Sequence, residues 1–310
     1  MKGVFGMAES AWWRPDALAR RRPHLEARGR ILLATREMFA SRGFIEVETP
    51  ALQVSPGLEP HLKAFATLLE RPGEETVPRF LHTSPEFAML EWYRAGARYL
   101  DLVADCEALL RAAGTRLMTW QGRVCDPHAA WERLTVAEAF GRHCGIDILA
   151  TAEDLGALAA AAQPLGIAPH RGDSWEDLFF RIFLAVIEPR LGIGVPTVLY
   201  DYPIAMAALA RPKTGDARLC ERFELYVCGI ELANAFGELT DPAEQRRRFE
   251  ADQAKKRALY GETYPIDEDF LDALEHGMPE SAGIALGFDR LVMLASGATH
   301  IDDVLWAPVA

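Results

Sequence analysis

The spacing of apolar and polar positions changes period several times along this chain, and each change predicts an element. Residues 25–42 place Ile31, Leu32, Thr35, Met38 and Phe39 on one helical face, with Gly43 as a stop. Ile45 and Val47 then alternate with Glu46 and Glu48 before Pro50, the period of a strand. A second strand is predicted over 62–69. Helices are predicted over 101–113, 134–143 and 151–162. Thr151 and Asp154 stand at capping-box spacing in the last of these, and Pro164 and Gly166 end it. Ser174 opens a further helix that carries Leu178, Phe179, Ile182, Phe183, Val186 and Ile187 on one face and stops at Pro189. Residues 197–202 read as a strand, 242–260 as a charged helix and 270–275 as a short helix. Gly277-Met278-Pro279 turns the chain into a last strand and helix. Residues 1–23 show little periodicity and are expected to be a loose arm.

The richest pattern lies between residues 222 and 242. Apolar and aromatic residues there form two strands about a turn at Cys228-Gly229. Glu224, Glu231 and Glu238 are seven residues apart, and Asn234 lies between the last two. A hairpin would bring Glu224 and Glu231 together, and two close carboxylates repel unless a cation or proton lies between them. A hard cation such as Mg2+, which prefers oxygen ligands and keeps phosphates as partners, would satisfy both. Asn234 and Glu238 share parity and Glu231 does not, so all can converge only across a bulge. The plain alternative is a solvated hairpin with acidic outward positions. Further on, Gly283-Ile284-Ala285-Leu286-Gly287 is a short strand that runs into a helix. Gly287 permits close approach of backbone to a ligand. Arg290 lies in the first helical turn, where a guanidinium and a helix N-terminus together favour an anion. An ordinary strand-to-helix turn with a surface Arg is the alternative here.

Together these stretches resemble the catalytic core of the class II aminoacyl-tRNA synthetases, an α/β (α+β) fold in which helices flank an antiparallel sheet. Gly287-Phe288-Asp289-Arg290 is similar to the third signature motif of that class. Arg222-Phe223-Glu224, Glu231-Leu232-Ala233-Asn234-Ala235-Phe236 and Glu238-Leu239-Thr240-Asp241-Pro242 are similar to the lysyl branch. Within it the chain most resembles the elongation factor P lysine ligases, short paralogues of the lysyl-tRNA synthetases, from about Arg28 to the C-terminus. The resemblance implies that Glu224 and Glu231 serve ATP and its Mg2+, and that Leu232, Gly287 and Arg290 contact ATP. It implies that Glu238 takes the substrate's amino group, with Asn234, Ser84, Glu86, Tyr93 and Ala285 as further substrate contacts. Ala285 stands where lysyl-tRNA synthetases have a glycine, which in the ligase family accompanies a preference for (R)-β-lysine over lysine. The helix and strand near residues 25–50 resemble the first class II motif, which implies a homodimer.

One departure is large. The second class II motif is a long strand-loop-strand whose Arg grips the α-phosphate of ATP. Here His82-Thr83-Ser84-Pro85-Glu86-Phe87-Ala88-Met89 runs directly into Leu90-Glu91-Trp92-Tyr93-Arg94. The segment expected between them is absent, through a deletion or an error in the gene sequence, and no catalytic residue can be named. The domain reading is an arm at 1–27 and a catalytic domain at 28–310, without the anticodon-binding barrel of lysyl-tRNA synthetases.

Composition narrows the functions. A net charge of −12 argues against a protein built to grip nucleic acid and suits a pocket for a cationic amino acid, though solubility explains it equally. The five cysteines show no metal-ligand spacing and read as reduced thiols in a cytoplasmic protein. No signal peptide or membrane span is evident. His170 reads as a structural or exposed loop residue, and the basic runs of 242–260 as an exposed helix face. The expected activity is ATP-dependent activation of (R)-β-lysine or lysine and its transfer to elongation factor P, without stable tRNA binding. Two alternatives stay open: an impaired or inactive paralogue that lacks the second motif, and a lysyl-tRNA synthetase.

Overall fold

The computed structural model describes residues 13–73, 75–82, 87–151 and 153–307. In chain order its strands and helices are α1 (Pro15–Ser41), β1 (Leu52–Gln53), β2 (Ala66–Leu69), β3 (Val77–Leu81), β4 (Met89–Ala95), α2 (Val103–Ala112), β5 (Met118–Trp120), β6 (Arg123–Cys125), β7 (Glu132–Thr135), α3 (Val136–Cys144), α4 (Leu155–Ala162), α5 (Trp175–Ile182), β8 (Thr197–Pro203), β9 (Leu219–Val227), β10 (Ile230–Gly237), α6 (Pro242–Tyr260), α7 (Glu268–Gly277), β11 (Ser281–Gly287) and α8 (Phe288–Ser296). They fall into two compact units.

The larger unit comprises the described residues of Met1–Phe44, Met89–Glu238 and Ser281–Ala310. Its frame is a six-stranded sheet in the order β4-β11-β10-β9-β8-β7. Every pair is antiparallel except β7 with β8, so the expected antiparallel sheet carries one parallel edge pair. The fold class is α/β as expected. An apolar cluster of α3, α4 and α5 side chains, with Phe140, Leu178, Phe179 and Ile182 fully buried, packs with Leu199, Tyr202 and Tyr226. On the other face Trp92 and Arg94 of β4 reach Asp105 of α2, at 3.3 Å for the indole and 2.6 and 2.8 Å for the guanidinium. Residues of opposite parity on β4 and its neighbours are left for the site.

The smaller unit comprises the described residues of Ile45–Ala88 and Leu239–Glu280. Its antiparallel sheet has the order β1-β3-β2, and Leu58, Phe80 and Tyr264 form a buried apolar cluster in it. The Lys256 ammonium of α6 is buried, donates to the carbonyls of Glu59, Pro60 and Leu62, and lies 4.6 Å from the Tyr264 ring. The basic run of α6 is compensated: Arg246 pairs with Glu268, and Arg247 and Arg248 with Glu244.

Several sequence expectations need correction. Residues 15–23 are helical rather than loose, and α1 continues through Pro23. Tertiary anchors outweigh local propensity there: Arg21 is buried and donates to the Trp306 carbonyl at 2.8 Å, and Arg28 pairs with buried Asp289. The strand expected at Ile45 and Val47 is not formed, and both side chains are exposed, at 86% and 74%. Alternation signals a half-buried face, but among the described residues no strand pairs with it. The strand expected over 62–69 is confined to β2. Asp154, not Thr151, caps α4, accepting from the amides of Gly156 and Ala157 at 2.7 and 3.2 Å. Ser174 does cap α5, but that helix gives way at Phe183–Ile187 to a wider π-turn. His170 is exposed, with its Nδ1 3.0 Å from the Arg181 guanidinium, as a structural reading requires.

Candidate active site

The hairpin of β9 and β10 is closed by two residues. Val227 pairs with Ile230, and Cys228 and Gly229 both take positive φ, 55° and 74°. Such a turn matches the natural twist of paired strands and needs left-handed backbone at both positions. Below it, Glu231 pairs with Tyr226 but Ala233 pairs with Leu225, so Leu232 is the extra residue of a β-bulge. This is the bulge that the parity of Glu231 demanded. It leaves Leu232 buried and turns Glu231 to the same face as Asn234.

The register then sets out two rows of side chains across the sheet. Glu224 pairs with Asn234, Asn234 with Ala285 and Ala285 with Glu91. One pleat away, Arg222 pairs with Phe236, Phe236 with Gly283 and Gly283 with Tyr93. Directly paired residues point to the same face, so both rows form one floor. Glu238 follows β10 with the parity of Phe236, and its amide donates to the Ser281 carbonyl at 3.0 Å. A Cβ at Gly283 would collide with both the Glu238 carboxylate and the Tyr93 ring. That glycine is therefore the gap over which Glu238 and Tyr93 meet. At the other end of β11, Gly287 occupies the N-cap of α8 and supplies no side-chain cap to the first amides of that helix. Arg290 is exposed and donates from Nη1 to the Glu231 carbonyl at 2.6 Å. The structure thus brings together Glu224, Glu231, Leu232, Asn234, Glu238, Ala285, Gly287, Arg290 and Tyr93. Ser84 and Glu86 lie outside the described residues.

Electrostatics separate these groups. Burial, and then the neighbouring Glu224 charge, raise Glu231 to about 7. Burial raises Glu238 to about 7 as well; Arg211 opposes the shift and Glu91 adds to it. Although 56% of Tyr93 is exposed, desolvation of its phenol and the charges of Glu238 and Glu91 push it up to about 12. Tyr93 is therefore neutral near pH 7, able to donate or to accept. Both acidic positions hold a proton readily when empty and would release it to a cation.

Four residues around Glu224 were assigned no role in the reading of the sequence, although Arg222 stood in its motif. Its Oε2 accepts from the hydroxyls of Tyr202 and Tyr226 at 2.6 and 2.5 Å, and its Oε1 accepts from Arg222 Nη2 at 2.6 Å. Desolvation, followed by the Glu224 charge, raises both phenols well above their ordinary range. Glu188, in the turn Glu188–Arg190 after the π-segment, is the fourth. Its carboxyl is raised by burial and by Glu224 and lowered by Arg290 and Arg123, which places it in the same electrostatic neighbourhood. Tyr226 shares strand parity with Glu224, a signal available in the sequence. Glu188 had none.

Among the described residues, no three His, Cys, Asp or Glu side chains converge as a metal cage. A small hard cation bound through one or two carboxylates and substrate phosphates needs no such cage. Glu231 fits that role, since no donor among the described residues reaches its carboxylate. Glu224 fits poorly, because three of its acceptor positions are filled by the protein.

Comparison with known proteins agrees with this geometry. The family model for tRNA synthetases class II (D, K and N) matches residues 79–309. Elongation factor P–(R)-β-lysine ligases of Salmonella dublin, Salmonella paratyphi B and Salmonella heidelberg are each 36% identical over 333 positions, covering 96% of this chain and 98% of theirs. That share of 310 residues is roughly 298, so about 35 of the 333 aligned positions have no residue here. The chain belongs to the class II tRNA synthetase family, and within it to the elongation factor P–(R)-β-lysine ligase group of lysyl-tRNA synthetase paralogues.

Proposed function

We propose that this protein is a ligase that activates (R)-β-lysine, or lysine, with ATP as an aminoacyl-adenylate and transfers it to a lysine side chain of elongation factor P. The observation that carries this reading is the single sheet face on which Glu231, Asn234, Glu238 and Tyr93 stand beside Arg290 and the N-terminus of α8. Glu238 would pair with a substrate ammonium, a charge that the pocket's own acidity favours. Asn234 Oδ1 is buried and lacks a donor, which suits it to accept from the same ammonium. Arg290, oriented by the Glu231 carbonyl, and the α8 amides would take nucleotide phosphate. Ala285 would lie on the floor under the amino acid, and Ser84 and Glu86 are kept as proposed substrate contacts on the family resemblance alone.

The substrate carboxylate then attacks the α-phosphorus, an O–P bond forms and pyrophosphate leaves. An uncharged lysine amine of elongation factor P attacks the acyl carbon, AMP leaves and the amine gives up a proton. Such phosphoryl chemistry rests on positioning and charge neutralisation. Mg2+, when bound, supplies neutralisation of phosphate charge, with Glu231 as its ligand.

A homodimer is part of this reading, on the resemblance of residues 25–50 to the first class II motif; Leu33 of α1 is exposed, as an interface residue of a lone protomer would be. Residues 28–310 are read as the catalytic domain after an N-terminal arm, and a cytoplasmic location is proposed. Among the described residues no helix is long and apolar enough to cross a membrane. The test is mass spectrometry of elongation factor P after incubation with this protein, ATP and each amino acid. One added acyl group supports the proposal; unmodified factor beside aminoacylated tRNA would favour a synthetase.

A second reading has its own observation. β4 is the sheet's edge, and among the described residues no strand lies beyond it, where the second class II motif would supply one. A chain that binds ATP and lysine without catalysis would show ligand-induced thermal stabilisation and no adenylate.

A further inference from the structure

The oxygen acceptors of the hairpin divide into two kinds. Glu231 offers its carboxylate, and Asn234 offers an Oδ1 that is buried with no donor. Glu224 is 5% exposed, and its oxygens already accept from Tyr202, Tyr226 and Arg222 at 2.6, 2.5 and 2.6 Å. A carboxylate presents about four acceptor positions, so one remains, on the oxygen that faces the guanidinium. A cation placed there would lie beside a like charge in a buried setting, where such repulsion is large. The Arg222 guanidinium is itself fixed: it donates from Nη1 to the Met206 carbonyl at 2.6 Å and lies 4.6 Å from the Tyr202 ring and 5.7 Å from that of Phe236. Phe236 belongs to the row that continues through Gly283 to Tyr93.

We infer that Glu224 is a positioning residue, the buried counter-charge that holds Arg222 under the Phe236 row, and that a divalent cation arriving with nucleotide binds Glu231 without Glu224 in its coordination shell. This rests on the adenylation reading above. It departs from the paired role of Glu224 and Glu231 that the class II resemblance implies. The arrangement leaves one carboxylate for the metal and uses the other to hold the amino-acid side of the floor. Changes at Glu224 should therefore be felt by the amino acid more than by the cation.

The test uses Mn2+ as probe, with a non-hydrolysable ATP analogue. In crystals of the wild-type protein, the anomalous Mn2+ peak should lie about 2.1 Å from a Glu231 oxygen, bonding distance for a small divalent ion, with both Glu224 oxygens outside that shell. A Glu224 oxygen at bonding distance overturns the inference. In solution, spin resonance titration of Mn2+ into the protein–analogue complex should show Glu231→Gln weakened about tenfold or more, and Glu224→Gln within about threefold. The KM for the amino acid should rise in Glu224→Gln at that unchanged Mn2+ affinity, a split that general loosening of the fold would not produce. Equal loss of Mn2+ in both variants overturns the inference. Should Glu224→Gln fail to fold, the wild-type diffraction arm still decides. A wild-type protein that takes up no Mn2+ with the analogue would overturn the adenylation reading itself, and this inference with it.

Discussion

The middle of the large sheet and its β4 edge are built under opposite rules. At the hairpin of β9 and β10, Arg222 and Glu224 are held by several partners, while Glu231 and Asn234 keep acceptor oxygens open. Glu224 has three donors, Arg290 rests on the Glu231 carbonyl, and a bulge corrects the parity of Glu231. At the edge, β4 has β11 on one side only, and Glu91 and Tyr93 are exposed. On the proposed reading the centre would bind ammonium and phosphate, and the edge lacks a strand where an α-phosphate grip would stand. Binding and catalysis can therefore be lost separately in this chain, and each experiment below pulls on one side of that divide.

Glu238→Gln should act most strongly, and on the centre. Uncoupling a desolvated ion pair costs about 3–5 kcal/mol, so kcat/KM for the amino acid should fall roughly 10²–10³-fold or more in steady-state adenylation. A smaller loss would show that the ammonium is held elsewhere. The complementary experiment rebuilds the edge. Inserting the second-motif segment of a relative between Met89 and Leu90 should raise the adenylation rate about 10²–10³-fold, the usual effect of one preorganised donor. An unchanged rate would mean that the open edge costs nothing.

Gly283→Ala tests the junction of the two regions. The added methyl meets the Glu238 carboxylate and the Tyr93 ring, so unfolding free energy should fall by about 1–3 kcal/mol in denaturant titration, with a higher KM for the amino acid.

The mildest perturbation is pH. Glu238 is raised to about 7, so its ammonium-binding form increases as pH rises from 6 to 8 and the KM for lysine should drop up to about tenfold. The stability effect runs the other way. A carboxyl whose native pKa is above its unfolded value near 4.5 stabilises the fold most below that value. Ligand-free protein should therefore lose stability as pH climbs toward and through 7 in thermal melts, with Glu231 contributing in the same sense.

Much of the centre was legible because strand period and turn chemistry are local. The Cys228-Gly229 turn, the alternation of β9 and β10, and the need for a bulge at Glu231 all followed from residues near one another in sequence. The reading of a missing second motif was local as well, since it rests on the abutting of His82–Met89 and Leu90–Arg94. What escaped depended on distant packing. Tyr202 comes to Glu224 across a register shift in β8, with Asp201 at a φ of 59°, and Glu188 arrives on a turn after a π-segment that no periodicity announced. Helix α1 runs back to Pro15 because Arg21 and Arg28 find Trp306 and Asp289 more than 250 residues away, which no local pattern encodes. Conversely, the alternation at Ile45 and Val47 was clear and produced no strand, since a strand needs a neighbour to pair with.

The most direct test of the account is ATP–pyrophosphate exchange on the folded protein, with (R)-β-lysine and L-lysine in parallel. The account predicts exchange that depends on the amino acid and is abolished in Glu238→Gln. Absence of exchange with either amino acid, from protein that both lysine and ATP stabilise in a thermal melt, would contradict adenylation and leave a binding protein built on a synthetase frame.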